Sequence, residues 1–256
     1  MNILAVGDVV GNSGIQEIKN NLKKIKEKYE IDFTIVNGEN AAEGMGITEK
    51  NFNDILNAGA DCVTMGNHTW GKKEIFKFID HQKIIRPANY PEGVCGKGYS
   101  IFKCKDKKIA VINAMGRVDI NIMLDNPFEI VKKIIDKIKN EVDIIILDFH
   151  AEATAEKKAM GYFLDGKVNI IFGTHTHVQT ADEQILPKGT AFISDIGMTG
   201  PKNSIIGMDI DASLKRFLTG LPEKYKIATG ECIFNSVLFK IDDEKNLVKE
   251  IIRINC

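Results

Sequence analysis

The sequence predicts an α/β fold, a single-domain α/β sandwich with mixed β-sheets flanked by helices. Three observations predict it. Short β-rich runs ending in Gly, Asn or His alternate with segments whose apolar residues recur every three or four positions. The last third of the chain turns strand-rich, in runs that look antiparallel. The length of 256 residues, with 44% hydrophobic and 27% charged residues, suits one large globular domain over residues 1–256 and rules out extensive disorder.

Asn2–Gly7 is an apolar strand. Ile15, Ile18, Leu22, Ile25 and Tyr29 then mark an amphipathic helix with Lys and Glu outside. Asp32–Asn37 is the second strand; Thr48 can cap a helix carrying Phe52, Ile55 and Leu56, with Gly59 beyond its end. Asp61–Met65 is the third strand and Lys72–Ile79 a short helix. Tyr99–Cys104 and Lys108–Asn113 form a hairpin across Lys105–Lys107. Asn126-Pro127-Phe128-Glu129 opens a helix with a cap, an early Pro and a Glu three residues on; its stripe is Ile130, Ile134, Ile135 and Ile138. Strand Val142–Phe149, helix Ala155–Leu164 and strand Val168–Gly173 follow. Thr190–Asp195, Cys232–Ile241 and Leu247–Ile254 are strand-rich, and Gly200–Lys226 reads as loop plus a short helix near Ala212–Leu218.

Composition excludes several function classes. The net charge of −1 gives no overall basic field for non-specific DNA binding. Apolar runs such as Ile144–Leu147 are far shorter than the roughly 20 residues that cross a bilayer. The chain starts at once with a strand and has no signal-peptide pattern, so a cytoplasmic location is expected. Cys62, Cys95, Cys104, Cys232 and Cys256 lack the spacing of a zinc or disulfide framework and read as reduced thiols.

Chemistry concentrates at strand ends. His68, His150, His175 and His177 each lie at or just beyond the end of an apolar run, as do Asp8, Glu39 and Asn40; His81 sits in a polar segment and reads as solvated. Sites in open α/β sheets form beyond the carboxyl ends of strands. If these runs are neighbouring parallel strands, Asp8, Glu39, Asn40, Asn67, His68, His150, His175 and His177 converge on one rim. Taken singly, Asp8 also reads as a helix cap, Gly38-Glu39-Asn40 and Gly66-Asn67-His68 as turns, and His150 as a core residue. In Gly173-Thr174-His175-Thr176-His177 an extended chain would turn both imidazoles to one side, which suits a metal. Imidazole, carboxylate and amide donors without thiolate suit Fe, Mn, Zn or a mixture, with room for two ions sharing a carboxylate. Arg117 and Lys202 read as solvated surface residues more readily than as phosphate contacts.

These residues resemble the calcineurin-like dinuclear metallophosphoesterases, whose pattern is D-x-H, G-D-x-x-D, G-N-H-[DE], an isolated His and G-H-x-H. Here Val10 replaces a metal-binding His, Glu39 the bridging Asp, and Thr69 the acidic residue. The departures match the bacterial YmdB-type phosphodiesterases, which the chain resembles through GDVVG (Gly7–Gly11), NGEN (Asn37–Asn40), GNHTW (Gly66–Trp70), HAEATAE (His150–Glu156), GTHTHVQTAD (Gly173–Asp182) and DIGMTG (Asp195–Gly200). The resemblance implies a metallophosphoesterase-like fold and two divalent or trivalent metal ions, iron being the usual metal, with Mn or Zn as alternatives. It implies that Asp8 and His177, with Asn40, hold one ion, that Asn67, His150 and His175 hold the other, that Glu39 bridges, and that His68 is the general acid. The implied activity is hydrolysis of 2′,3′-cyclic and 3′,5′-cyclic nucleotides, with an RNA-derived substrate and a homo-oligomer as further expectations and no membrane partner. A metal-containing regulatory module binding nucleotide or RNA, and a phosphomonoesterase, are the competing readings.

Overall fold

The computed structural model describes Met1–Cys256. In chain order its elements are β1 (Asn2–Val6), β2 (Asp8–Val9), α1 (Gly11–Lys28), β3 (Phe33–Asn37), α2 (Glu49–Asn57), β4 (Cys62–Thr64), a 3-10 turn over Lys73–Lys77, β5 (Ile84–Ile85), β6 (Tyr99–Cys104), β7 (Lys107–Met115), α3 (Pro127–Ile138) and β8 (Ile144–His150). They continue with α4 (Thr154–Leu164), β9 (Ile170–Thr174), β10 (Gln184–Ile185), β11 (Ala191–Ile193), β12 (Met198–Pro201), α5 (Ile210–Thr219), β13 (Cys232–Asp242) and β14 (Leu247–Asn255). One sheet has the order β2-β12-β13-β1-β3-β4-β5, with β14 on β13; the other has the order β10-β11-β9-β8-β7-β6. Both are mixed. β1, β3, β4 and β5 run parallel, with β13 antiparallel to β1. β7, β8, β9 and β11 run parallel between antiparallel edges β6 and β10.

Strand alternation builds the layers. Ile3, Ala5, Phe33 and Ile35 of one sheet meet Ile109, Val111, Ile144, Ile146, Ile170 and Phe172 of the other in a shared core. The opposite faces are covered by helices. Leu4, Val6 and Val36 pack with Ile15, Ile18 and Leu22 of α1 and Phe52 and Ile55 of α2. Ile112, Ile145, Leu147 and Phe149 pack with Val131 and Ile135 of α3 and Met160 and Leu164 of α4. No helix is long and apolar enough to cross a membrane.

Caps fall where the side chains place them. Thr48 accepts from Asn51 N and Asn126 from Phe128 N. Several expectations need correction. The stripe of α3 is Val131, Ile135 and Ile138, with Ile130 and Ile134 only half-buried, because the second sheet sits one position further round the helix. Of the short helix expected over Lys72–Ile79 only Lys73–Lys77 is helical, as 3-10, and the hairpin turn is tighter than expected, with β7 starting at Lys107. Gly200–Lys226 contains the end of β12 as well as α5.

Gly173 marks the tightest contact in the second sheet. A Cβ there would lie 1.8 Å from Ser194 O and 3.0 Å from Lys157 Cδ. Gly173→Ala must therefore push β9 from the segment after β11. We expect a loss of about 3 kcal/mol, the upper range for overpacking, read as a lower urea midpoint; an unchanged midpoint would show that this contact is soft.

Candidate metal centre

The carboxyl ends of parallel strands from both sheets meet on one rim. β1 leads to Asp8, β3 to Glu39 and Asn40, β4 to Asn67 and His68, β8 ends at His150, and β9 leads to His175 and His177. Asp8, Glu39 and His150 are 0% exposed and Asn40 is 3% exposed, so water does not satisfy their polar atoms and any partners must come from the protein or a bound group.

The contacts form two groups that share Glu39. In the first, one donor atom each from Glu39, His150 and His175 lies within 4.8 Å of the others. His150 Nε2 is 3.3 Å from Glu39 Oε1, 2.8 Å from Asn67 Oδ1 and 3.0 Å from His175 Nδ1. In the second, His177 Nε2 is 3.9 Å from Asp8 Oδ1 and 3.0 Å from Asn40 Nδ2, and Asn40 Nδ2 donates to Glu39 Oε1 at 3.2 Å. His68 adjoins both. Its Nδ1 is 2.8 Å from Asn40 Oδ1 and 3.4 Å from Glu39 Oε1, and its backbone N donates to Glu39 Oε2 at 3.0 Å. As oriented, the Asn40 amide bridges His68 and His177. Turning it over would present Oδ1 beside His177 and Nδ2 to His68 Nδ1.

The convergence of His175 and His177 has a different cause from the extended chain expected. β9 stops at Thr174, and both histidines have left-handed backbone, with φ of 103° and 65°. A turn therefore sends one imidazole to His150 and the other to Asn40. His81 packs edge-on against Phe52, away from the rim. Lys202 pairs with Glu231 at 3.1 Å, and Arg117 is exposed, its backbone N held by Glu156. Val10 is a buried apolar residue packed with Met198 and Met208.

Partners that sequence reasoning missed stand behind the rim. Thr174 Oγ1 donates to Asp148 Oδ1 at 2.7 Å and lies 2.9 Å from His150 Nδ1. With its own hydrogen committed to Asp148, the hydroxyl accepts from Nδ1, which leaves Nε2 as the donor atom facing the centre. Thr64 Oγ1 and Asn37 Nδ2 also donate to Asp148. Glu152 Oε2 is 3.1 Å from His175 Nε2 and holds that ring from its outer side. The available signal was a carboxylate, Asp148, inside an apolar strand two residues before His150.

Electrostatics explain what the cluster needs. Burial pushes Asp8 well above the usual carboxylate range, and Asp148 up to about 6 against hydrogen bonds from Thr64, Thr174 and Asn37. Burial also opposes ionisation of Glu39, but the charge and hydrogen bond of His150 outweigh it and hold Glu39 well below the usual range. Burial would lower His150, yet Glu39 and Asp8 lift it to about 9, whereas burial and the His150 charge take His175 down to about 3. The carboxylates thus favour a protonated His150 ring in the metal-free centre, with Nε2 ringed by Asn67, Glu39 and His175. Cations fit this donor set. Asp8 Oδ1 is buried with no hydrogen-bond partner, and Gly66 lets the backbone pass so close to the centre that a Cβ there would lie 2.4 Å from both Glu39 Oε2 and His150 Nε2. The donors are nitrogen and oxygen, as intermediate and hard metals prefer.

Comparison with known proteins gives a consistent picture. A family model described as YmdB-like protein matches residues 4–254. The 2′,3′-cyclic-nucleotide 2′-phosphodiesterase of Bacillus subtilis is 49% identical over 255 residues, covering 99% of this chain and 96% of that relative. A crystal structure described as a novel phosphatase from Mycoplasma pneumoniae superposes with a TM-score of 0.94 at 37% identity, covering 100% of this chain and 93% of that one. The NAD nucleotidase of Haemophilus influenzae, at 15% identity and a TM-score of 0.61 over 99% of this chain and 55% of its own, shares the fold alone.

The raised His150 has a consequence for the metal-free protein. A histidine whose folded pKa is raised stabilises fully below its unfolded value, and that stability is lost as pH climbs through the folded value. Chelator-treated protein should lose stability, on the order of 1–3 kcal/mol, between pH 6.5 and about pH 9. Urea melts across this window should slope downward in the unaltered chain and flatten in His150→Gln; a rising profile in the unaltered chain would contradict the charge balance described.

Proposed function

The chain belongs to the YmdB-like protein family, and on that premise we propose that it is a phosphodiester hydrolase of cyclic nucleotides working through two metal ions on the rim. The name of the Bacillus subtilis relative points first to 2′,3′-cyclic nucleotides; 3′,5′-cyclic nucleotides are the second substrate class. All 256 residues serve as one metallophosphoesterase domain. The observation that carries the reading is Glu39, a buried carboxylate lying against His150 of one group and Asn40 of the other.

Asp8, His177 and Asn40 would hold one ion, with the Asn40 amide turned to present Oδ1. Asn67, His150 and His175 would hold the other, and Glu39 would lie between them. Iron is the first choice, with Mn or Zn as alternatives. When bound, such ions polarise a phosphoryl group and acidify a water. The chain supplies the rest. Asp148 and Thr174 keep Nε2 of His150 free to bind, and Glu152 accepts from His175 Nε2. As an imidazolium, His68 would give its Nε2 proton, on a side chain 26% exposed, to the leaving ribose oxygen and end as the neutral ring. Protonating the leaving oxygen contributes roughly 10²–10⁴-fold.

Two variants test this reading. Glu39→Gln removes the negative charge between the two donor groups and should lose at least one metal equivalent and nearly all activity; two equivalents by elemental analysis would exclude the bridging role. His68→Ala should retain both equivalents and lose roughly 10²–10⁴-fold on cyclic nucleotides. It should lose far less on an aryl phosphodiester, whose phenolate leaves without help. Equal losses on both substrates would remove His68 as the acid, and loss of a metal would make it a ligand.

A further inference from the structure

The left-handed backbone of His175 and His177 needs a cause, because residues with side chains hold such φ values only where their surroundings impose them. His175 N donates to Asp8 Oδ2 at 3.3 Å and His177 Nδ1 lies 2.9 Å from Ile206 O, and Thr176, between them, is tied down separately. Asp195 Oδ2 accepts from Thr176 N at 3.0 Å and from Thr176 Oγ1 at 2.8 Å. The same oxygen accepts from Lys157 Nζ at 2.7 Å, and Oδ1 accepts from Gly197 N at 2.9 Å. Asp195 N donates to Thr180 Oγ1, and Thr180 N donates to Asp195 O. The turn after β9 is thereby tied to the segment after β11.

Lys157 reaches this point from α4, its stem passing over Gly173. The two charged side chains are 2% and 1% exposed. A buried ion pair is not by itself a source of stability; apolar residues of similar volume often serve the fold as well. One carboxylate oxygen takes three donors here, and the lysine ammonium is the only charged one among them. We propose that Asp195, charge-balanced by Lys157, is a positioning residue for the metal centre. Through Thr176 it sets the turn that sends His175 to the His150 side of Glu39 and His177 to the Asp8 side. The inference rests on the metal-centre reading above and adds the residues that shape it.

The test uses the full chain with Co²⁺ as the probe, reading affinity by chelator competition and ligand geometry from the visible spectrum. Thr176→Val removes the hydroxyl donor and keeps the shape; Thr176→Ser keeps the donor. Thr176→Val should weaken Co²⁺ binding roughly 10–100-fold, as for partners that orient metal ligands. It should also alter the spectrum, while the metal-free Tm stays close to that of the unaltered chain, and Thr176→Ser should behave as the unaltered chain. The paired exchange Lys157→Met with Asp195→Leu should fold by circular dichroism yet bind Co²⁺ as weakly as Thr176→Val. Unchanged affinity and spectrum in Thr176→Val would overturn the positioning role alone, whether or not the paired variant folds. Failure of the unaltered chain to bind Co²⁺ would overturn the metal-centre reading and this inference together.

Discussion

A carboxylate removed from water must be met by positive charge or by hydrogen-bond donors, and the rim of this fold is organised around meeting one, Glu39. Its Oε1 faces His150 Nε2 at 3.3 Å, and Oε2 takes the backbone N of His68. Asp8 and Asp148 add two more buried carboxyl groups, both 0% exposed. Hydrogen bonds from Thr64, Thr174 and Asn37 satisfy Asp148, but Asp8 Oδ1 has none. Isolated buried charge is costly enough that a group would rather change protonation. A centre with this much acid and one shared imidazolium is built to accept cations, and the surrounding glycines and hydroxyls keep its donor atoms in place.

The place of Val10 follows from the same balance. Its side chain is buried with Met198 and Met208 beneath the turn that carries Asn40. The Asn40 carbonyl accepts from Gly11 N at 2.9 Å and from Gly44 N at 3.1 Å. The backbone around Asn40 is thus fixed from both sides, so only its amide is free to choose which atom faces the rim. With an apolar side chain at Val10, that neighbouring amide is a polar group this segment offers to the rim.

Much of this was legible from the residues alone, for reasons that differ by element. α1, α2 and the start of α3 announce themselves through apolar spacing and capping side chains, which act within a few residues of themselves. β2, β5 and β10 are two residues long and exist only because a neighbouring strand lies beside them; nothing in such short runs encodes a partner. The rim donors were readable because each closes an apolar run. Asp148, Thr174, Lys157 and Asp195 were not, because their meaning lies in contacts with residues distant in the chain, as between Thr64 and Asp148. The His175-Thr176-His177 spacing pointed to the right neighbours for the wrong geometric reason, since an Asp195 contact replaced the extended strand that spacing alone suggests.

The donors come from both sheets: Asp8, Glu39 and Asn67 from the first, and His150, His175 and His177 from the second. Any cation shared by Glu39 and His150 is therefore a cross-link, joining points far apart in sequence across the seam between the layers. Closing so long a loop restricts the unfolded chain, and the entropic cost of closure grows only slowly with its length. The seam is mostly apolar, its directional bonds gathered near the rim, where Thr64 and Asn37 donate to Asp148, so an ion held there would add a latch on the two halves of the sandwich. Chelation would then loosen the molecule along that seam before it loosened either sheet, making metal supply a determinant of how long the chain survives proteases.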